Sequence, residues 1–174
     1  MAVSAPEARN TWESVNRLTT DLVLESLEAV LGGDSSLTFH RNGDLRLTGA
    51  LDGGDWSGDV EVDGAVTSTR DQYGYTVEVD LSGVAVDDRR RTELDGSIGF
   101  AFTADDTIDL ADLSYTAGVS VDGALDLTGA DEGHAELAYD LVLELHGLAV
   151  SATATGAISG HDVSDWDQVL SLLF

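Results

Sequence analysis

The sequence predicts a mainly-β α+β fold: one long, curved antiparallel meander of about eight strands packed on an N-terminal amphipathic helix, with a short C-terminal helix. Three observations predict it. One block near the N-terminus repeats apolar residues at helical spacing. From residue 36 to residue 160 the pattern changes to strict alternation, the signature of half-buried strands. Within that region a phrase of the form apolar, Asp or Thr, Gly, Ala or Ser, apolar occurs as LTGAL (47–51), VDGAV (62–66), LDGSI (94–98), VDGAL (121–125) and ATGAI (154–158).

The helix is expected over residues 11–31, where Trp12, Val15, Leu18, Leu22, Leu27 and Val30 form one stripe. Asn10 is the expected cap, with Glu13 closing a capping box, and Gly32–Gly33 end the helix. The strands follow. Tyr73, Tyr75, Val77, Val79 and Leu81 share one face, as do Leu94, Gly96, Ile98, Phe100 and Phe102, and the longer row from Leu113 to Leu127. Each faces polar residues on the other side, so one face is dry and one wet. Many of these strands are far longer than the usual 5–6 residues or so.

Turn signals separate them. RNG (41–43) suits a three-residue loop with Gly43 left-handed, which sets Phe39 opposite Leu45. LDGGDW, STRDQ, DDRRR, ADDT and GADEGH mark further turns. Residues 135–160 as one strand would reach about 85 Å. A turn at His146–Gly147 instead pairs Leu145 with Leu148, Leu143 with Val150 and Leu141 with Ala152. In DLSGVAV (80–86) a bulge is as good an expectation as a turn. The last segment, 163–173, suits a short amphipathic helix carrying Trp166, Val169, Leu170 and Leu173, with Ser164 or Asp162 as its cap. The whole reads as one domain, residues 1–174, with the sheet over 36–160.

The repeated phrase puts Gly49, Gly64, Gly96, Gly123 and Gly156 on the apolar face. Glycine weakens a strand and is tolerated where a backbone, helix or ligand comes close or where the sheet must bend. The expectation is a glycine trough that receives the helix.

Charge narrows the partners. Acidic residues number 33 against 8 basic ones, for a net charge of −25; all eight are Arg. Such a surface repels nucleic acid and anionic headgroups. It opposes compaction unless salt screens it, and the acidic wet faces discourage edge-to-edge pairing. A salt-rich habitat and a high-GC genome both account for this composition. No cysteine is present, which removes disulfides and thiolate chemistry. No apolar run approaches the ~18 residues of a membrane span, so no membrane insertion is expected. The opening MAVSAPEARN has no signal-peptide pattern.

Motifs for chemistry are weak. GDSSL (33–37) with DEGH (131–134) matches pieces of the Gly-Asp-Ser-Leu lipase pattern, but its serine should follow a strand of a parallel sheet, and here a helix precedes it. DVEVDG (59–64) begins like an EF-hand loop, yet its twelfth position is Arg70 rather than a bidentate Glu. The acidic stretches 105–112 and 161–167 could offer carboxylates to calcium, but in so acidic a chain they read first as solvated loops. His40, His134, His146 and His161 lack metal-ligand spacing and read as surface residues. Arg89–Arg91 reads as a charge-balanced hairpin end. No catalytic residue, metal or cofactor is expected.

The strand phrases of the VDGAV type, DLSGVAV, and the closing TGAISGHDVSDW resemble uncharacterised exported proteins and lipoproteins of high-GC Gram-negative bacteria, myxobacteria among them. The resemblance implies a periplasmic, outer-envelope or extracellular location. A helix lying in a curved sheet also looks like the periplasmic half-barrel carriers of lipoproteins and lipids, a likeness of architecture alone. The expected function is a non-catalytic envelope or extracellular structural or binding module, with a protein or an apolar small molecule as partner. The rival is a carrier holding a lipid between sheet and helix. Tyr73, Tyr75, Phe100, Phe102, Tyr115 and Tyr139 would line its cavity; otherwise these rings simply fill the core.

Overall fold

The computed structural model describes residues 1–40, 46–51, 57–68, 72–85, 92–105, 114–146, 149–164 and 166. One helix, α1 (Ala5–Leu31), precedes nine strands: β1 (Leu37–His40), β2 (Arg46–Ala50), β3 (Ser57–Ser68), β4 (Gln72–Ala85), β5 (Thr92–Asp105), β6 (Ser114–Gly129), β7 (Gly133–His146), β8 (Ala149–Ile158) and β9 (His161–Asp162). They form a single antiparallel sheet in sequence order, β1 to β9. The meander is as the alternation predicts. The ninth strand is the difference: Ser159 and Gly160, both at positive φ, turn the chain back so that His161 pairs with Ile158.

The helix starts six residues earlier than its apolar stripe suggests. Ser4 is the N-cap, its backbone N–H donates to the Glu7 carboxylate at 2.5 Å, and a proline sits in the first turn. This is a capping box reinforced by a residue suited to the first helical turn. Asn10, the expected cap, lies inside the helix and donates to Asp131 at 3.2 Å. The helix ends as predicted, on left-handed Gly32.

Two registers also differ from expectation. Phe39 faces Leu47 rather than Leu45, and Leu145 faces Val150 rather than Leu148. Each is a slip of two, which keeps every side chain on its face, so alternation cannot distinguish the two pairings. Gly43, Gly147 and Leu148 lie outside the described residues. In DLSGVAV the bulge is present: the register shifts between Leu81 and Val84, and the Gly83 N–H donates to the Asp95 carboxylate at 2.8 Å. The bulge restores the phase, so Val84 is fully buried. The predicted C-terminal helix falls mostly on residues outside those described. Just after β9, the Asp162 carboxylate accepts from the Ser164 N–H at 2.8 Å, and Trp166 N–H donates to the Val163 carbonyl at 3.0 Å.

The helix spans the sheet from one side to the other. At its N-terminal end, His134 N–H donates to the Met1 carbonyl (2.8 Å), Val3 N–H donates to the His134 carbonyl (3.3 Å), and His161 Nε2 meets the Val3 carbonyl (3.2 Å). Asp131 accepts from Asn10 and from Thr92 (3.0 Å), joining the β6–β7 turn to α1 and β5. At the other end, Glu25 accepts from the Ser36 N–H (2.9 Å) and from the hydroxyls of Ser35 (2.8 Å) and Ser36 (3.1 Å), which fixes α1 to the start of β1. A helix of this length runs about 40 Å. Its buried side presents Ala8, Trp12, Val15, Leu18 and Leu22 to the concave face of the sheet. Buried Thr11, Thr19 and Ser26 give their hydroxyls to carbonyls one turn back, so they need no partner from the sheet.

The five repeated glycines do share the concave side by register, facing core residues such as Leu37, Val77, Leu125, Ile98 and Tyr139. Their reason differs from the one expected. A Cβ on Gly96 would strike the Ala124 carbonyl and come within 3.2 Å of the Leu125 Cα; on Gly156 it would meet the Ala138 carbonyl and the Tyr139 Cα at 2.6 Å. The atoms nearest to that space belong to the neighbouring strand. With φ of 144° and 116°, Gly96 and Gly156 adopt a backbone that L-residues avoid. The glycines bend the strands, and the bend makes the trough.

Gly99, on the same strand as Gly96, gives the control. There a Cβ would meet only the movable Asp122 carboxylate, at 3.3 Å. Gly96→Ala is therefore expected to lower stability by about 2–4 kcal/mol, from strain and backbone collision together. Gly99→Ala should stay within about 0.5 kcal/mol of the parent. Urea unfolding of the two variants checks this; equal effects would remove the bending role from Gly96.

Candidate apolar site at the end of the trough

Register arranges the concave side into rows that cross the sheet. The row Val79, Ile98, Gly123, Leu137, Ile158 has its large side chains buried. The next row is Val77, Phe100, Val121, Tyr139, Gly156, again buried at every side chain. Two residues further along the strands come Phe102, Val119, Leu141 and Ala154; here Val119 is only half-buried. The following row, Ala104, Ala117, Leu143, Ala152, is half-buried throughout. Burial thus fades along the apolar face toward the end of β5 and β7 and the start of β6 and β8. The result is a shelf of small and aliphatic side chains at the far end of the trough.

Against this grid the six expected lining residues separate. Phe100 and Phe102 are buried, with ring centroids 6.0 Å apart and planes 22° apart. Tyr139 is buried beneath the helix, its ring 4.8 Å from that of Trp12. Its hydroxyl donates to Asn16 Oδ1 at 3.4 Å, and burial alone pushes its ionisation far above the ordinary tyrosine range. Tyr115 is half-buried near the start of β6, beyond the shelf. Tyr73 and Tyr75 stand in β4 opposite Ala104 and Phe102; their side chains lie outside the described residues. The register therefore brings Tyr75 and Phe102 into one row and sets Tyr139 apart as a contact of the helix. Sequence inspection missed Trp12, Asn16 and Trp166 as its neighbours. Trp166 lies 5.9 Å from Trp12, edge to face, so three aromatic rings and one amide clamp the first half of the helix. The helical stripe marked Trp12 as buried, but nothing in the spacing paired it with a residue 127 positions away.

The motif fragments do not assemble. Ser35 and Ser36 belong to the Glu25 cluster at the C-terminal end of α1, whereas Asp131 holds Asn10 and Thr92 near its start and His134 pairs with Asp126 at 2.8 Å. Asp59, Glu61 and Asp63 line the exposed side of β3, where Asp63 takes Arg46 through both carboxylate oxygens at 2.6 and 2.7 Å. His40 contacts Thr48 at 2.9 Å across the β1–β2 pair. The acidic stretch 106–112, Arg70 and Arg89–Arg91 lie outside the described residues, as does the His146 side chain. Among the described residues no three His, Asp or Glu side chains converge as a metal site, and no helix is long and apolar enough to cross a membrane.

Two measurements test the clamps on the helix. Trp12→Ala removes the ring between Tyr139 and Trp166 and is expected to cost about 3–5 kcal/mol in denaturant unfolding. At Glu25, burial raises the carboxyl's proton affinity, but the Ser36 N–H and the two serine hydroxyls together outweigh it and hold the group below the usual carboxylate range. A lowered native value stabilises the fold above the ordinary glutamate range, near pH 4.3, and that stability fades as pH falls through the native value. Glu25→Gln should therefore cost about 1–2 kcal/mol at pH 7, with the gap to the parent closing at acid pH. A gap independent of pH would contradict the ionised clamp.

No family model, curated protein or solved structure matches the chain.

Proposed function

We propose that the protein is a non-catalytic structural or binding module of the bacterial envelope or extracellular space. One observation carries the reading: α1 is seated across the concave face and forms a single continuous core with the sheet. The residues best placed to grip an enclosed ligand, Phe100 and Tyr139, are already spent on contacts within that core. The outer face supports the same reading. Glu78, Asp80, Glu93, Asp122, Glu136, Asp140 and Glu144 are exposed on the consecutive long strands β4 to β7, a surface that disfavours nucleic acid and anionic lipid.

A second reading has its own observation. The half-buried shelf of Ala104, Ala117, Leu143 and Ala152 continues the apolar face past the helix. Three of its four side chains are alanines, a surface that suits an acyl chain or similar apolar ligand. On this reading the protein is a carrier, and α1 is the wall of its site.

Native mass spectrometry of protein purified without detergent separates the two, with a denatured control and organic extraction of the same sample. The module is expected to appear as the 18.3 kDa chain or whole multiples of it, with no added apolar mass. A non-covalent apolar mass lost on denaturation would overturn the module and establish the carrier.

A further inference from the structure

Among the described residues, the last long strand of the sheet has an edge that is closed over only part of its length. β9 pairs with Ala157 and Ile158 alone, and Met1–Val3 reach β7 at His134, beyond the end of β8. From Ala149 to Thr155 no described segment pairs with the outer side of β8. The Gly156 carbonyl accepts from Val163 N–H on that side at 3.1 Å. Antiparallel strands direct the polar groups of alternate residues to the same side, so the backbone N–H and C=O of Ala154 and Ala152 also face the open edge.

This edge departs from the rest of the molecule in charge. Residues 145–160 contain no Asp, Glu, Lys or Arg, although 24% of the chain is charged. Acidic wet faces keep strand edges apart, and β3 to β7 carry them. β8 instead shows Ser151, Thr153 and Thr155 outward, with Ala152 and Ala154 inward. It has no proline, no lysine and no bulge, the usual devices that blunt an edge.

We propose that the open edge of β8 pairs with the same edge of a second copy of this chain, extending the sheet across a two-fold axis. Antiparallel pairing centred on Thr153 sets Ala152 opposite Ala154 of the second copy, a hydrogen-bonded pair with both sets of polar groups already facing outward. On the convex side the central row then reads Val142, Thr153, Thr153, Val142, free of charge. The nearest acidic rows, through Asp140 and Glu144 on β7, are separated from those of the other copy by three strand spacings, about 14 Å. That exceeds the Debye length of about 8 Å at physiological salt. On the concave side the half-buried shelf, which reaches the edge at Ala152, continues into the second copy instead of ending in water. A second copy fits this edge better than a basic peptide does, because the edge offers no carboxylate to attract one. The pairing is independent of whether the trough holds a ligand. A single strand edge falls below the usual ~1,200–2,000 Å² of a stable interface, so micromolar association is expected.

Sedimentation velocity of the full chain, from about 5 to about 500 µM, tests this at low and high salt. The expected result is a reversible monomer–dimer equilibrium that tightens as salt rises, because screening relieves repulsion between two chains of charge −25. Thr153→Glu introduces like charges facing each other at the axis. Ala152→Pro removes an edge N–H without taking a bond from β7. Each should weaken dimerisation at least tenfold with an unchanged far-ultraviolet circular dichroism spectrum. Ser97→Glu, which adds the same charge on β5, should leave it unaltered. A monomer at every concentration in both salts would overturn the proposal. So would a dimer that survives both edge variants.

Discussion

A sheet with one apolar face must cover that face, and the chain supplies one long helix to do it. A helix shields a strip only about 10 Å wide, whereas the strands here run to 16 residues. The geometry closes because the sheet coils. Gly96 and Gly156 let neighbouring backbones approach where a Cβ would collide, and the coiled sheet brings several strands onto the same helix. The helix is then fixed at both ends by different chemistry. At the N-terminal end, Met1–Val3 continue the sheet's hydrogen bonding along β7, while the ring of Trp12 fills the space over Tyr139. At the other end, a single carboxylate, Glu25, gathers three donors from the segment leading into β1. Loosening either end would expose the same buried rows, so sheet and helix depend on each other.

The fold was legible where one periodicity ran unbroken. Strict alternation over long stretches gave the meander, and Gly32 gave the end of the helix, because a left-handed cap is a local demand. The start of the helix was hidden because its first turn holds Pro6, Glu7 and Arg9 in place of a continued apolar stripe; the capping box of Ser4 and Glu7 was the signal that could have found it. Registers at Phe39 and Leu145 were ambiguous for a symmetry reason: a shift of two residues conserves both faces, and loop geometry alone decides between them. The glycines' face was legible, while their nearest neighbours, the backbones of adjacent strands, were not. A sequence shows that a side chain is absent; it does not show whether a helix or an adjacent strand uses the space.

The candidate site was less legible than the fold. Phe100, Phe102 and Tyr115 sit on the same face at the same spacing, yet the first two are buried and the third is half-exposed. The difference follows position along the strands: Tyr115 stands opposite Leu145 near the start of β6, a tertiary placement with no local signature. Charge was the opposite case. Composition alone argued against polyanionic partners, and the structure adds where that argument weakens. The carboxylates cover the convex side of the middle strands, and the neutral stretch coincides with an open strand edge. Repulsion between like-charged surfaces is weakest at such a neutral stretch.

The core needs α1 as one of its own layers rather than as a movable cover. Native-state hydrogen exchange measures this directly, because each amide reports the free energy of the opening that exposes it. The amides from Trp12 to Leu22 should exchange only through global unfolding, with the same protection as those of Ile98 and Val121 in the central strands. If the helix amides exchange through a far cheaper opening while the sheet stays protected, the helix leaves the trough with the sheet intact, and the claim that it is the trough's resident occupant fails.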